Sequence, residues 1–200
     1  NVLIGGAGDD IYVVSLAGDS VIENDSEGYD TLRTDLTSKV LPTHVEALDY
    51  IGTVGFTGIG NTLDNILTGG AQADFLSGLD GNDTLNGGGG ADLLIGGSGN
   101  NTLNGGSGVD SANYSAAPAS ISINLAADSG VNGSGGTDSF IDVENVTGSN
   151  YADTLSGDGN ANTLNGGDSD DLLNGRGGNN VLIGGNGVDT AQFSDATGPV

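Results

Sequence analysis

The chain contains no cysteine, no methionine and no tryptophan, a single histidine, and only three lysine and arginine residues among 200. Without cysteine there are no disulfides and no thiolate metal ligands. His44 alone cannot build a zinc site, which wants several His or Cys donors. So little basic charge argues against nucleic acid and against anionic membrane surfaces, since both are bound through Lys and Arg. No apolar run approaches the roughly 18 residues of a membrane span, and no signal-peptide pattern stands at the N-terminus. No His-Glu-x-x-His or Gly-x-Ser-x-Gly motif occurs, and no Gly-Lys-Ser/Thr follows the glycine runs. The expectation is a chain that is not an enzyme and does not insert into membranes.

What is abundant is glycine, at 39 residues, and acid, at 27 Asp and Glu, for a formal net charge of −24. Glycine this frequent usually marks low complexity. Here it keeps a period. Residues 69–113 divide without gaps into five nine-residue units: GGAQADFLS, GLDGNDTLN, GGGGADLLI, GGSGNNTLN and GGSGVDSAN. The sixth positions are Asp74, Asp83, Asp92, Asn101 and Asp110, and the eighth are Leu76, Leu85, Leu94, Leu103 and Ala112. The pattern returns over 148–192, with Asp153, Asn162, Asp171, Asn180 and Asp189 at the sixth position. A longer repeat overlies both, because 105–121 and 184–200 match across most positions, 79 residues apart.

The pattern Gly-Gly-x-Gly-x-Asp-x-apolar-x resembles the calcium-binding nonapeptide of the RTX (repeat-in-toxin) family, the hemolysin-type calcium-binding repeat. The resemblance implies an all-β fold, a right-handed parallel β-roll or β-helix (a solenoid), with strand-rich inserts between repeat blocks. It also implies several bound Ca²⁺ ions and export from a bacterium by type I secretion, placing the protein outside the cell or on its surface.

The residues themselves argue for a cation. Six turn residues and a three-residue strand make one unit, and two units complete a coil. One inward Leu per unit is a small core set against the entropy of ordering nine residues. Turns 18 residues apart share an edge, so Asp74, Asp92 and Asp110 stack in one ladder and Asn65, Asp83 and Asn101 in the other. Stacked carboxylates repel unless a cation lies between them. Ca²⁺ accepts six to eight hard oxygens in flexible geometry, main-chain carbonyls included, whereas Mg²⁺ demands a stricter shell. The candidate metal-site residues are therefore Asp10, Asp30, Gly69, Gly70, Asp74, Gly78, Asp83, Gly87, Gly88, Gly90, Asp92, Gly96, Gly97, Gly99, Asn101, Asp110, Asp153, Gly166, Gly167, Asp171 and Asp189. Within each block the all-Asp edge is expected to bind more strongly than the edge carrying Asn, because fewer ligand charges lower affinity. Leu79, Ser149, Asp158 and Arg176 replace the second Gly, and Gln72, Tyr151, Asn160 and Ser169 the fourth-position Gly, which leaves the turn geometry there open.

Taken in order, the chain divides into degenerate repeats (1–30), an irregular β segment (31–68), the first repeat block (69–113), a β insert (114–147), the second block (148–192) and the start of a second insert (193–200). After Glu23 the phase slips and the turn grows by two residues. The segment 31–68 is expected to continue the solenoid, with a small separate cap as the alternative. The chain opens and closes mid-unit, so it is expected to be fused to further domains. Three functions fit: a module that folds on calcium outside the cell, a structural stretch of an adhesin or surface-layer protein, or the accessory region of a secreted protease, lipase or other enzyme.

Overall fold

In the computed structural model, which describes residues 1–192, the chain is almost wholly β. Twenty-two short strands are joined by turns, with one 3₁₀ turn at Leu125–Ala127. The start of a second insert, expected at 193–200, lies outside the described residues.

Strands form where the nonapeptide has its last three residues. In Thr154–Ser156, Leu172–Asn174 and Ser111–Asn113 the central side chain is buried and the flanking ones are half-buried or exposed. That is the alternation a pleated strand imposes. Within the repeats successive strands fall on opposite walls, one a 12-stranded sheet and the other an 8-stranded sheet, while Val2–Ile4 and Ser20–Ile22 pair as a separate two-stranded sheet. Neighbours within a repeat block are parallel and pair at 18-residue spacing, as in Thr84↔Thr102 and Leu93↔Ser111. Two nonapeptides thus make one coil of a β-solenoid. Leu67, Leu76, Leu85, Leu94 and Leu103 are completely buried, as are Leu155 and Leu164, and they belong to one continuous core. Leu182 is half-buried and Ala191 exposed, so the column loosens towards the last described strand.

The irregular segment continues the solenoid. Its strands Ser38–Val40, Ala47–Tyr50, Thr57–Ile59 and Ile66–Thr68 pair parallel within the same two sheets. Pro42 follows the first of them in a turn, where its missing N–H costs no ladder bond. The Tyr50 and Phe56 rings stack, with centroids 4.4 Å apart, and fill the coil corner.

The insert changes the winding. On the 8-stranded wall, Ser111–Asn113 pairs directly with Asn145–Thr147. On the other wall three strands are interposed. Thr102–Gly108 pairs parallel with Thr137–Ile141, which pairs antiparallel with Ser129–Val131, then antiparallel Ser122–Asn124, then parallel Thr154–Ser156. The stretch 129–136 is the first strand and the turn of an ordered hairpin. Its turn is pinned by buried Asn132, whose Oδ1 accepts from the Ser134 and Gly136 N–H groups. A consequence is that the two blocks exchange walls. The turns at Asp74, Asp92 and Asp110 lead into the wall that later carries Asn162 and Asn180. The turns at Asn65, Asp83 and Asn101 lead into the wall that later carries Asp153, Asp171 and Asp189. Each edge therefore holds one all-Asp stretch and one Asn-bearing stretch.

Candidate metal centre

Asn65 and Asn162 apart (their Oδ1 atoms accept the Asn61 and Asp158 N–H of their own turns), each turn residue at the sixth position enters the solenoid body in the same way. Its side-chain Oδ1 accepts the main-chain N–H of the equivalent residue one coil earlier: Asp74 N–H to Asp92 (2.8 Å), Asp92 N–H to Asp110 (2.7 Å), Asp153 N–H to Asp171 (2.8 Å) and Asp171 N–H to Asp189 (3.0 Å). On the mixed edge Asn65 N–H donates to Asp83 (2.8 Å) and Asp83 N–H to Asn101 (2.9 Å). The two ladders expected from the 18-residue spacing are both present. Asp10 N–H likewise donates to Asp30 Oδ1 at 2.8 Å, although 20 residues separate them.

The other carboxylate oxygen is where the chemistry lies. Asp83, Asp92, Asp110 and Asp171 are all at most 2% exposed, and the Oδ2 of each has no hydrogen-bond partner among the described residues. A buried polar atom without a partner is costly, and a buried charge more so. Burial pushes the Asp83 carboxyl up to about 7 and the Asp92 carboxyl up to about 6, each partly offset by the N–H bond it accepts. Asp110 and Asp171 are raised for the same reason.

Each such oxygen faces the glycine that opens its unit. A Cβ on Gly87 would overlap Asp92 Oδ2 and lie 2.8 Å from the Gly105 carbonyl oxygen of the next coil. The same convergence recurs at Gly78, with Asp83 and the Gly96 carbonyl, and at Gly166, with Asp171 and the Gly184 carbonyl. It recurs at Gly69 with Asp74 and Gly87, and at Gly148 with Asp153 and Gly166. So a carboxylate oxygen and a main-chain carbonyl meet over a position kept free of side chain. The second and fourth glycines shape the turn, with Gly88 at φ +98° and Gly90 at φ +116°. Leu79 (φ 79°), Ser169 (φ 78°) and Arg176 (φ 56°) take the same left-handed conformation, whereas Gln72, Ser149, Tyr151, Asp158 and Asn160 do not. The donors are hard, oxygen-only and anionic, and they fit a cation of the calcium class rather than zinc.

The Asn turns are built differently. Asn180 Nδ2 donates to the Gly175 and Gly177 carbonyls, both at 2.8 Å, and Asn162 Nδ2 donates to the Glu144 carbonyl at 2.9 Å. Here a side-chain amide occupies carbonyl oxygens of its own or the preceding turn. At Asp153 the neighbouring Ser149 does part of this work, donating Oγ–H to the carboxylate at 2.8 Å.

The family model of the RTX calcium-binding nonapeptide repeat matches residues 1–21, 59–94, 86–113, 142–173 and 156–191, well over half of the chain. The chain belongs to this family. A comparison with curated proteins finds no match.

The RTX pattern locates the regular turns but misses three acids that do equivalent work and a fourth that is buried beside two turn carboxylates. Glu46 Oε2 accepts the Asp30 N–H (2.7 Å), Glu144 Oε2 accepts the Asp110 N–H (2.8 Å), and Asp138 Oδ1 accepts the Asn101 N–H (3.0 Å). All three stand two residues before an inward apolar residue, Leu48, Val146 or Phe140, as the sixth position of a unit does. That spacing is the signal that could have found them. The fourth is Glu23, buried beside Asp10 and Asp30. Burial, then the charge of Asp30, raises its carboxyl from its ordinary range.

Proposed function

We propose that this RTX β-solenoid is a calcium-dependent folding module of an exported bacterial protein, binding and structural rather than catalytic. One observation carries the reading: buried Asp carboxylates recur at the turns, and at Asp83, Asp92, Asp110 and Asp171 one oxygen has no partner among the described residues. Bound Ca²⁺ would supply positive charge to that oxygen and to the carbonyl converging on it. The ligands we assign are the candidate residues of the regular turns: Gly69, Gly70, Asp74, Gly78, Asp83, Gly87, Gly88, Gly90, Asp92, Gly96, Gly97, Gly99, Asn101 and Asp110 in the first block, and Asp153, Gly166, Gly167, Asp171 and Asp189 in the second. Binding is stronger where Asp stacks on Asp. Side-chain amides that already occupy turn carbonyls, as at Asn162 and Asn180, support that asymmetry.

Low calcium inside a cell would leave the acidic chain unfolded and exportable. Millimolar calcium outside would fold it, since a ligand bound by the native state alone stabilises it by mass action. Membership of the family supports secretion by the type I route and an extracellular or surface location as part of this reading. Fusion to further domains accords with the blocks' own repetition 79 residues apart, which also suits a long adhesin array. The test is far-UV circular dichroism of the chain in EDTA, then with Ca²⁺ added back. The β signal is expected to appear only with calcium. A β signal indifferent to chelation would contradict the reading.

A further inference from the structure

We propose a calcium site of a second kind, built from the side chains of Asp10, Glu23 and Asp30 rather than from the nonapeptide turn. One oxygen from each of these acids lies within 4.8 Å of the others. Glu23 is only 6% exposed, and neither of its carboxylate oxygens has a hydrogen-bond partner among the described residues. Asp10 Oδ2 is also buried and unpartnered. Three acids thus face one small volume. The cation–carboxylate contacts among the described residues, Arg33–Asp49, His44–Asp25 and the N-terminus with Asp19, lie elsewhere.

The register explains how Glu23 comes to be there. Ile4 pairs with Ile22, so Glu23 stands one coil on from Gly5, at a leading position that regular units reserve for glycine. A Cβ on Gly5 would overlap Asp10 Oδ2, which shows where a side chain from a leading position is aimed. In a regular unit the following Asp is five residues on and leaves no room. After Glu23 it is seven residues on, at Asp30, and the strands pair 20 apart, Ile11↔Thr31, instead of 18. The two added residues open the space that the Glu side chain fills. What elsewhere is a glycine and a main-chain carbonyl is here a third carboxylate. Three oxygen-donor acids, without nitrogen or sulfur, suit Ca²⁺, and the added charge favours tighter binding than a turn with one or two Asp. The inference rests on the family reading only for the nature of the ion, because the donors are different.

The experiment is calcium titration of the 200-residue chain by equilibrium dialysis, for the wild type, Glu23→Gln and Glu23→Asp. Terbium(III) luminescence excited through tyrosine runs alongside, because the Tyr12 hydroxyl and Asp10 Oδ2 share the space over Gly5. Glu23→Gln is expected to lose one ion per chain and to weaken the tightest step at least tenfold. Glu23→Asp, which keeps the charge on a shorter arm, should fall between. Tyr12→Phe should remove the component of terbium emission that saturates first. Unchanged stoichiometry and affinity in Glu23→Gln would overturn the site, as would emission indifferent to Tyr12→Phe. If Glu23→Gln does not fold, the decision passes to Glu23→Asp, where wild-type binding overturns the proposal. A chain whose β signal ignores calcium but which still loses a bound ion in Glu23→Gln would sink the folding-module reading and leave this site standing.

Discussion

Asp92 and Asp138 hold equivalent places in their coils, two residues before a buried apolar side chain, yet they meet different surroundings. Asp138, in the insert, is surrounded by donors. Its Oδ1 accepts from Asn101 N–H, Asn101 Nδ2 and Asn132 Nδ2 at 2.9–3.0 Å, and its Oδ2 accepts the Tyr114 hydroxyl at 2.8 Å. Asp92, in the repeat, has one N–H on Oδ1 and nothing on Oδ2. Burial raises both carboxyls, but at Asp138 the hydrogen bonds from Tyr114, Asn101 and Asn132 pull in the opposite direction. The Asp138 carboxylate is completed by protein donors, whereas Asp92 Oδ2 has none among the described residues. On the reading proposed above, the insert carries its own substitute for an ion.

The largest expected effect comes from filling a cradle. Gly87→Ala would drive its methyl group into Asp92 Oδ2 and towards the Gly105 carbonyl, and should cost about 3 kcal/mol by overpacking alone. It should also abolish the step assigned to Asp92, seen as a lower calcium-loaded Tm and one ion fewer by dialysis. Tyr114→Phe removes a buried donor from Asp138 and should cost about 2 kcal/mol in urea melts, equally at saturating and at limiting calcium, with no ion lost by dialysis. Loss of a bound ion in this variant would erase the contrast between insert and repeat. Asp92→Asn should cross over. With a buried charge gone, less β signal is lost to chelation than in the wild type by circular dichroism, whereas calcium affinity by dialysis falls about tenfold, or ~1.4 kcal/mol.

The smallest effect is that of pH. With the Asp83 carboxyl at about 7 and that of Asp92 at about 6, the metal-free fold holds protons that the unfolded chain, near 3.8, releases. Its stability should be greatest below pH ~4 and decline as pH rises to ~7. The calcium-loaded chain should show the reverse slope over that window, since protons compete for the ligand oxygens. Parallel slopes in metal-free and loaded melts would contradict a role for these carboxylates in binding.

Much of this was legible in the sequence because the period does most of the specifying. Leu76 to Leu103 could only point into one core from alternate walls, and Asp74, Asp92 and Asp110 could only share an edge, once nine residues made half a coil. The exchange of walls was not legible. It depends on whether 114–147 adds one strand or three, and that is set by the antiparallel hairpin around Asn132 rather than by any period. Glu23 was hidden for a related reason. A carboxylate at a glycine position looks like decay of the repeat until the two added residues are seen to accommodate it. Nor does the nine-residue pattern show that an amide such as Asn180 occupies carbonyls that a ligand would need.

The contrast between Asp92 and Asp138 can be measured directly by amide hydrogen exchange at saturating and at limiting calcium, both within the range where the chain is folded. Main-chain amides at Asp74, Asp92, Asp153 and Asp171 donate to the ladder carboxylates, while that of Asn101 donates to Asp138. Calcium is expected to slow exchange at the four ladder amides by more than tenfold beyond any change at Asn101 and across the hairpin 122–141. Equal slowing at every one of these positions would show that the repeat has no special need of the ion, and would contradict the account.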